Sequence, residues 1–276
     1  MRRAVDSTGQ PLGDDQLDGM AGVDWHELAA DEQDAVHLMD EEAAAQEPSV
    51  PPIAAGLDWV SHHDAASLEH DARQRLGVRV PLQDWRWSTP APLDQGAEGA
   101  CVGYAVATSA NVRRASNGRV PHLDEENAAD LYHLAQDLDE VAGDDYEGTS
   151  LLAGMKAGQR TGLWDAYVWC FDVRTIVQAV LQLGPVLVGV PWTAGMYVTD
   201  AAGRLQLTGA TVGGHCLTVV GVQLEVSGEP GPWAVLLNSW GPDWGLDGIG
   251  YVKLRQLAWM LAGIGEAAVP LPALRA

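Results

Sequence analysis

Three residues able to do acyl-transfer chemistry stand in glycine-rich surroundings: Cys101 in DQGAEGACVGYA, His215 in GGHCLTVVGV and Asn238 in LLNSWG. A cysteine attacks as its thiolate, and the first turn of a helix favours that form, because unpaired amide groups and the macrodipole favour negative charge there. The run after Cys101 carries Ala and Val at helical spacing and stops at Asn117-Gly118, which puts the thiol at a helix start. A thiol pKa below its ordinary value is therefore expected. The thiol also needs a base, and the base needs an orienting partner, because a free imidazole is spread over rotamers and tautomers. His215 opens a predicted strand and supplies the base; Asn238 ends the strand WAVLLN and supplies an amide carbonyl for the ring N–H. The remaining cysteines read differently. Cys170 sits among aromatic and apolar residues in YVWCFDV, and Cys216 alternates away from the face that His215 uses.

The elements that must bring these residues together fall into two groups. CVGYAVATSANVRRASNG, LDEENAADLYHLAQDLDEV and TSLLAGMKAGQRTG read as helices, the second with Leu131, Leu134 and Leu138 on one side. PVLVGVPW, GRLQLTG, HCLTVVGVQ, WAVLLNSW and IGYVKL read as strands, interrupted by a helix in DVRTIVQAVLQLG. Helices in one half and antiparallel strands in the other predict an α+β fold with a cleft between two lobes.

Residues 78–276 are the expected domain, and residues 1–77 an acidic N-terminal arm, a linker or a removable propeptide. Within the arm, DWHELAADEQDAVHLMDEE and HHDAASLEHDARQRLG have helical character, and the first suits docking on a partner surface. His63 and His70 lie about two turns apart in the second, but further metal ligands are missing from that spacing, and no metal or other cofactor is expected.

Charge narrows the partners. Lys and Arg total 16 against 38 Asp and Glu, a net charge of −22, which repels nucleic-acid phosphates and anionic membranes. No apolar stretch follows Arg2-Arg3 and none is long enough to cross a bilayer, so a cytoplasmic or assembly-associated location is expected.

Five segments, in order, resemble the papain-like cysteine peptidases. These are Pro81 with Asp84-Trp85-Arg86, DQGAEGAC, GPVLVGV, GGHCLTVVGV and LLNSWGPDWGLDGIGYVKL, together spanning about Pro81 to Leu254. The resemblance implies a two-lobed fold, with a helical lobe that carries the nucleophile helix and an antiparallel, barrel-like lobe beside it. It makes Cys101 the nucleophile, paired with His215 as thiolate and imidazolium, and makes Asn238 the orienting residue. Trp240 then shields the His215–Asn238 bond, and Gln95 joins the Cys101 amide in an oxyanion site. Gly148 and Gly214 are implied substrate-binding positions. The implied activity is endopeptidase cleavage of protein or peptide substrates through a thioester. A deamidase or other acyl transferase on the same fold, and an assembly component that docks through its arm, are the alternatives. Glu98 stands where many members carry a disulfide cysteine, and Val102 where tryptophan often follows the nucleophile. These departures resemble bacterial branches of the family.

Overall fold

Twelve consecutive residues of one helix, Cys101 to Val112, are buried, and that helix organises the molecule. A helix apolar all round must be enclosed on every side. The computed structural model of the chain describes residues 57–62, 67–140 and 147–272. In chain order the elements are β1 (Trp59–Val60), β2 (Trp85–Arg86), α1 (Cys101–Ser116), α2 (Glu125–Leu138), β3 (Thr149–Ser150), α3 (Leu151–Arg160), β4 (Ala166–Trp169), α4 (Val173–Gln182), β5 (Val186–Thr193), β6 (Thr211–Val226), β7 (Glu229–Leu237), β8 (Ile249–Lys253), α5 (Leu254–Leu261) and β9 (Glu266–Leu271). Short 3₁₀ turns complete the list.

The helical lobe is α1, α2 and α3. Asp124 accepts from the Asn127 amide at 3.0 Å and Asn127 Oδ1 accepts from the Asp124 amide at 3.2 Å, a reciprocal cap that starts α2. Such a cap contributes about 1 kcal/mol. Ser150 caps α3 by accepting from Ala153, and Asp172 caps α4 by accepting from Thr175. Helix α1 lies against α2 where Gly103 leaves room: a Cβ there would stand 2.5 Å from the Tyr132 amide nitrogen. Leu131 is buried, while Leu134 and Leu138 pack at the edge of a small alanine cluster.

The second lobe is a seven-stranded sheet in the order β4-β9-β5-β6-β7-β8, antiparallel at every junction, with β2 paired to β6. Helices α4 and α5 cover one face through Ile176, Val180, Leu254 and Leu257, packed against Val188, Leu217 and Leu236. Helix α1 packs against the sheet at β6, the strand that carries His215.

The predicted α+β architecture is present, with differences of detail. GRLQLTG forms no strand; Gly203 and Gly209 adopt positive φ, and the segment makes only single bridges, Arg204 with Tyr251 and Leu205 with Thr199. HHDAASLEHDARQRLG is not one helix in its described part, which holds two 3₁₀ turns, Ser67–Glu69 and Ala72–Gln74, separated by His70 and Asp71. Asp71 stops any through-helix by capping the second turn with its carboxylate. His63 and the segment DWHELAADEQDAVHLMDEE lie outside the described residues.

Candidate active site

Helix α1 starts without a side-chain cap: Ala100 is its N-cap, so the first-turn amide groups are not engaged by a capping side chain. Cys101 is the first helical residue and is completely buried, as are His215 and the side chain of Asn238. Strand β6 supplies His215, and the end of β7 leads into Asn238.

His215 Nε2 lies 2.7 Å from Asn238 Oδ1, and that oxygen also accepts from the Ser239 backbone N–H at 2.9 Å. The backbone donor fixes the identity of the amide oxygen. An oxygen can only accept, so Nε2 carries the proton and Nδ1 of the neutral ring is left as the base. Nδ1 has no hydrogen-bond partner among the described residues. Trp240 lies over the ring with its centroid 4.6 Å from that of His215, and Trp192 of β5 meets it edge-on at 4.7 Å. Tyr197 stacks on the far side of Trp240 at 5.5 Å. The His–Asn bond is thereby kept dry, which strengthens it.

Gln95 is buried beside this pair. Its backbone N–H donates to Ser239 O at 2.9 Å, and its side-chain oxygen accepts from Ser239 Oγ at 2.7 Å. Nε2 donates to the Glu98 carbonyl at 2.8 Å, which uses one of its two N–H groups. Ser239 thus ties the Gln95 segment to the Asn238 segment, a link the sequence reading missed. The only signal was its position next to Asn238.

The cleft is occupied by the chain itself. Residues 57–62 run between the lobes: β1 pairs in parallel with β3, Thr149 N–H donates to Asp58 O at 3.1 Å, and Asp58 bridges to Gly214. Glycines make the approach possible. A Cβ at Gly148 would fall 1.8 Å from the Asp58 carbonyl oxygen, and one at Gly214 would fall 2.3 Å from that of Trp59. Both glycines expected to bind substrate therefore touch the arm.

Burial under this segment sets the protonation states. The Cys101 thiol is pushed up to about 11 by desolvation, although backbone N–H groups of Cys216, Asp58 and Val102 face the sulfur and pull the other way. His215 is held down at about 4, again by burial, with its bond to Asn238 opposing. In this covered arrangement the thiol is raised where a lowered value is expected, and burial works against a thiolate–imidazolium pair. Helix position favours the thiolate, but removal from water is the larger effect. Burial thus disfavours both charged forms, the thiolate and the imidazolium. Cys170 and Cys216 are free and buried, with thiols raised by desolvation; like Cys101, they form no disulfide. Glu98 is exposed, with a carboxylate oxygen 3.9 Å from the His133 ring.

No family model matches the sequence, and no curated protein matches it. Solved structures do. Xylellain, a cysteine protease from Xylella fastidiosa, superposes with TM-score 0.59 at 13% identity, covering 82% of this chain and 100% of its own. This chain has a papain-like fold. A proCathepsin B from Trypanosoma congolense gives TM-score 0.57 at 14% identity over 80% of this chain and 87% of that one. The proform of Amb a 11, a cysteine protease and ragweed pollen allergen, gives 0.56 at 13% identity over 94% and 93%. Among the described residues, no group of three or more His, Cys, Asp or Glu side chains is placed to hold a metal. No described helix is long and apolar enough to cross a membrane.

Proposed function

We propose that the chain is a cysteine endopeptidase whose cleft is closed by its own N-terminal arm. The observation that carries this reading is the His215–Asn238 bond at 2.7 Å, shielded by Trp240 and set against the helix that begins with Cys101. In a papain-like fold this arrangement supports peptide-bond cleavage in two stages. His215 Nδ1 takes the Cys101 proton as the sulfur bonds to the carbonyl carbon. The C–N bond then breaks, and the amine leaves with the proton returned by His215. Water, deprotonated by the same nitrogen, attacks the thioester and releases the acid, and the thiol recovers its proton. The oxyanion formed in each stage faces the Cys101 amide and Gln95.

Residues 57–62 fit an inhibitory role. The amide N–H of Asp58 is hydrogen-bonded to the sulfur, and the segment is held to both lobes by the Thr149 amide and by Gly214. Release of this segment rehydrates Cys101 and His215 and lets their pKa values move toward the ordinary range, where proton transfer between them is accessible.

The test is labelling by peptidyl thiol-directed probes, combined with mass mapping of the N-terminus. Cys101 should be the labelled residue, fluorogenic peptides should be cleaved, and a new N-terminus should arise between about Ala54 and Pro81. A Cys101→Ala protein that still cleaves peptides would sink the proposal; persistence of residues 1–77 in fully active protein would remove the propeptide part of it.

A further inference from the structure

Helix α1 begins with Cys101 and, about 24 Å further on, its other end borders a cavity of about 870 Å³. The end of the helix and the loop after it supply Arg113, Arg114, Arg119 and His122 to the lining, and the turn after α3 supplies Leu163, Trp164 and Asp165. These walls are pinned. Asn111 Nδ2 donates to Leu123 O at 2.7 Å, its Oδ1 accepts from the His122 and Leu123 amides at 3.1 and 3.2 Å, and Arg114 Nε donates to Val120 O at 3.1 Å. The Trp164 indole N–H donates to Met155 O at 3.0 Å.

The cations at this cavity lack anions. The chain has only 16 Lys and Arg against 38 Asp and Glu, yet three of the 16 meet here, and among the described residues none of the three forms an ion pair. The Arg119 guanidinium and the His122 ring have no hydrogen-bond partner among those residues either. Arg113 is set deepest: its Nε is covered and unpartnered, and its guanidinium donates only to the Pro270 carbonyl. It lies on Gly184, where a Cβ would stand 2.0 Å from Nη2. Burial pulls the Arg113 pKa down to about 10, with no carboxylate opposing. A buried charge is ordinarily paired, so this one is short of a partner. An adjoining cavity of about 330 Å³ shares His122, Thr161 and Leu163 with the first and is lined further by Leu123, Leu131 and Leu134.

We propose that the two cavities form a binding site for a small soluble phosphate ester, its phosphate held by Arg113, Arg114, Arg119 and His122 and its apolar part against Leu131 and Leu134. A guanidinium presents a planar fork of N–H groups that matches phosphate oxygens, and three such forks favour a dianion over a single carboxylate. Asp165 is the one carboxylate among the described lining residues of the larger cavity, so the cations outnumber it. The volume suits a small molecule and exceeds what a bare ion needs. A nucleic acid or an anionic bilayer would bring many phosphates against a chain of net charge −22, whereas a small anion enters the cavity alone. The site is at the opposite end of α1 from Cys101, so it stands whether or not the chain cleaves peptides.

The experiment is calorimetric titration of the full chain, at low ionic strength, with n-hexyl phosphate, inorganic phosphate, hexanoate and 1-hexanol. Hexyl phosphate should bind at least about tenfold more tightly than inorganic phosphate, through its apolar part, and than hexanol, through its head. Hexanoate should fall below hexyl phosphate. Arg119→Ala, which removes no intramolecular hydrogen bond of that side chain, should weaken hexyl phosphate at least about fivefold, and Arg113→Met at least about tenfold, with circular dichroism checking the fold. Arg86→Ala, on exposed β2 outside the cavity, should bind as the parent does. Leu134→Ser should reduce the advantage of hexyl phosphate over inorganic phosphate and leave the latter's affinity unchanged. Failure of both phosphates to bind at millimolar concentration, hexanol or hexanoate binding as tightly as hexyl phosphate, or equal losses in Arg119→Ala and Arg86→Ala would each overturn the proposal. Vesicles containing phosphatidic acid should not retain the chain; retention on them without binding of free hexyl phosphate would replace the small molecule with a lipid surface.

Discussion

His215 Nε2 and Asn238 Oδ1 are joined at 2.7 Å, and the Ser239 amide bound to the same oxygen settles which imidazole nitrogen carries the proton. The unprotonated nitrogen, Nδ1, is thus defined by a backbone donor one residue beyond the asparagine. Rotation of the Asn238 amide would break both bonds and put Nδ2 against the Ser239 N–H.

Asn238→Ala should lower kcat/KM by on the order of 10- to 100-fold, the usual cost of losing the orientation of a reacting group. Its KM should change little. A pH profile of kcat/KM would show the acid limb displaced, because the His215 pKa is raised by its bond to Asn238. Full activity in this variant would mean that the two shielding tryptophans orient His215 unaided.

Gln95→Ala should reduce kcat by roughly 10²- to 10³-fold, the range for removal of one oxyanion donor. Ser239→Ala should have a smaller effect, since Ser239 Oγ donates to the Gln95 amide oxygen at 2.7 Å and so acts through Gln95. Steady-state kinetics on one fluorogenic peptide distinguish them: if the Ser239 effect exceeds the Gln95 effect, the oxyanion assignment is wrong.

Arm docking should respond to pH in opposite directions through two groups. Glu266 is at about 8 in the docked state against an ordinary 4.5, so between these values the docked state holds a proton that the released state has lost. Docking therefore weakens as pH rises through that window. His215 is at about 4 against 6.5, so the released state holds the extra proton and docking weakens as pH falls. The two oppose each other from 4.5 to 6.5, and above 6.5 Glu266 acts without that opposition. Cys101 alkylation in the parent, divided by that in Glu266→Gln, cancels the thiol's own titration. The ratio should climb from pH 6.5 to 8, by at most about tenfold per unit; a flat ratio would disprove the coupling.

Gly189→Ala should open the arm without unfolding the sheet. The added Cβ would stand 2.3 Å from the Trp59 indole, a rigid ring that cannot fold away. Overpacking of this kind costs about 1–3 kcal/mol, enough to raise Cys101 alkylation by on the order of tenfold or more. Circular dichroism checks that the lobes persist. Unchanged alkylation would show that the indole leaves its slot at no cost.

Much of the fold is legible locally. Asp124, Ser150 and Asp172 each stand just before an apolar helical run, and each caps its helix. The continuous apolar runs of β5, β6 and β7 give the sheet because both faces of these strands are buried in their central parts. Three residues that matter to the site carry no such local signal. Trp192 reads as the end of an apolar strand, yet it meets the His215 ring at 4.7 Å because Trp192 pairs with Gly213 across the sheet. Ser239 and Glu266 hydrogen-bond to Gln95 and Trp59, 144 and 207 residues away in the chain.

The sequence alone determined the residue types for acyl transfer, their order, the helix that begins at Cys101 and the strand that carries His215. These rest on residue spacing and on helix-ending and turn residues, which are short-range. Tertiary structure decided the rest. It folded residues 57–62 into the cleft, shifted the Cys101 thiol up and the His215 ring down by burial, and set Glu266 against the Trp59 indole N–H. Each of these outcomes depends on which groups are removed from water together, and desolvation is a property of the assembled fold, not of neighbouring positions in the chain.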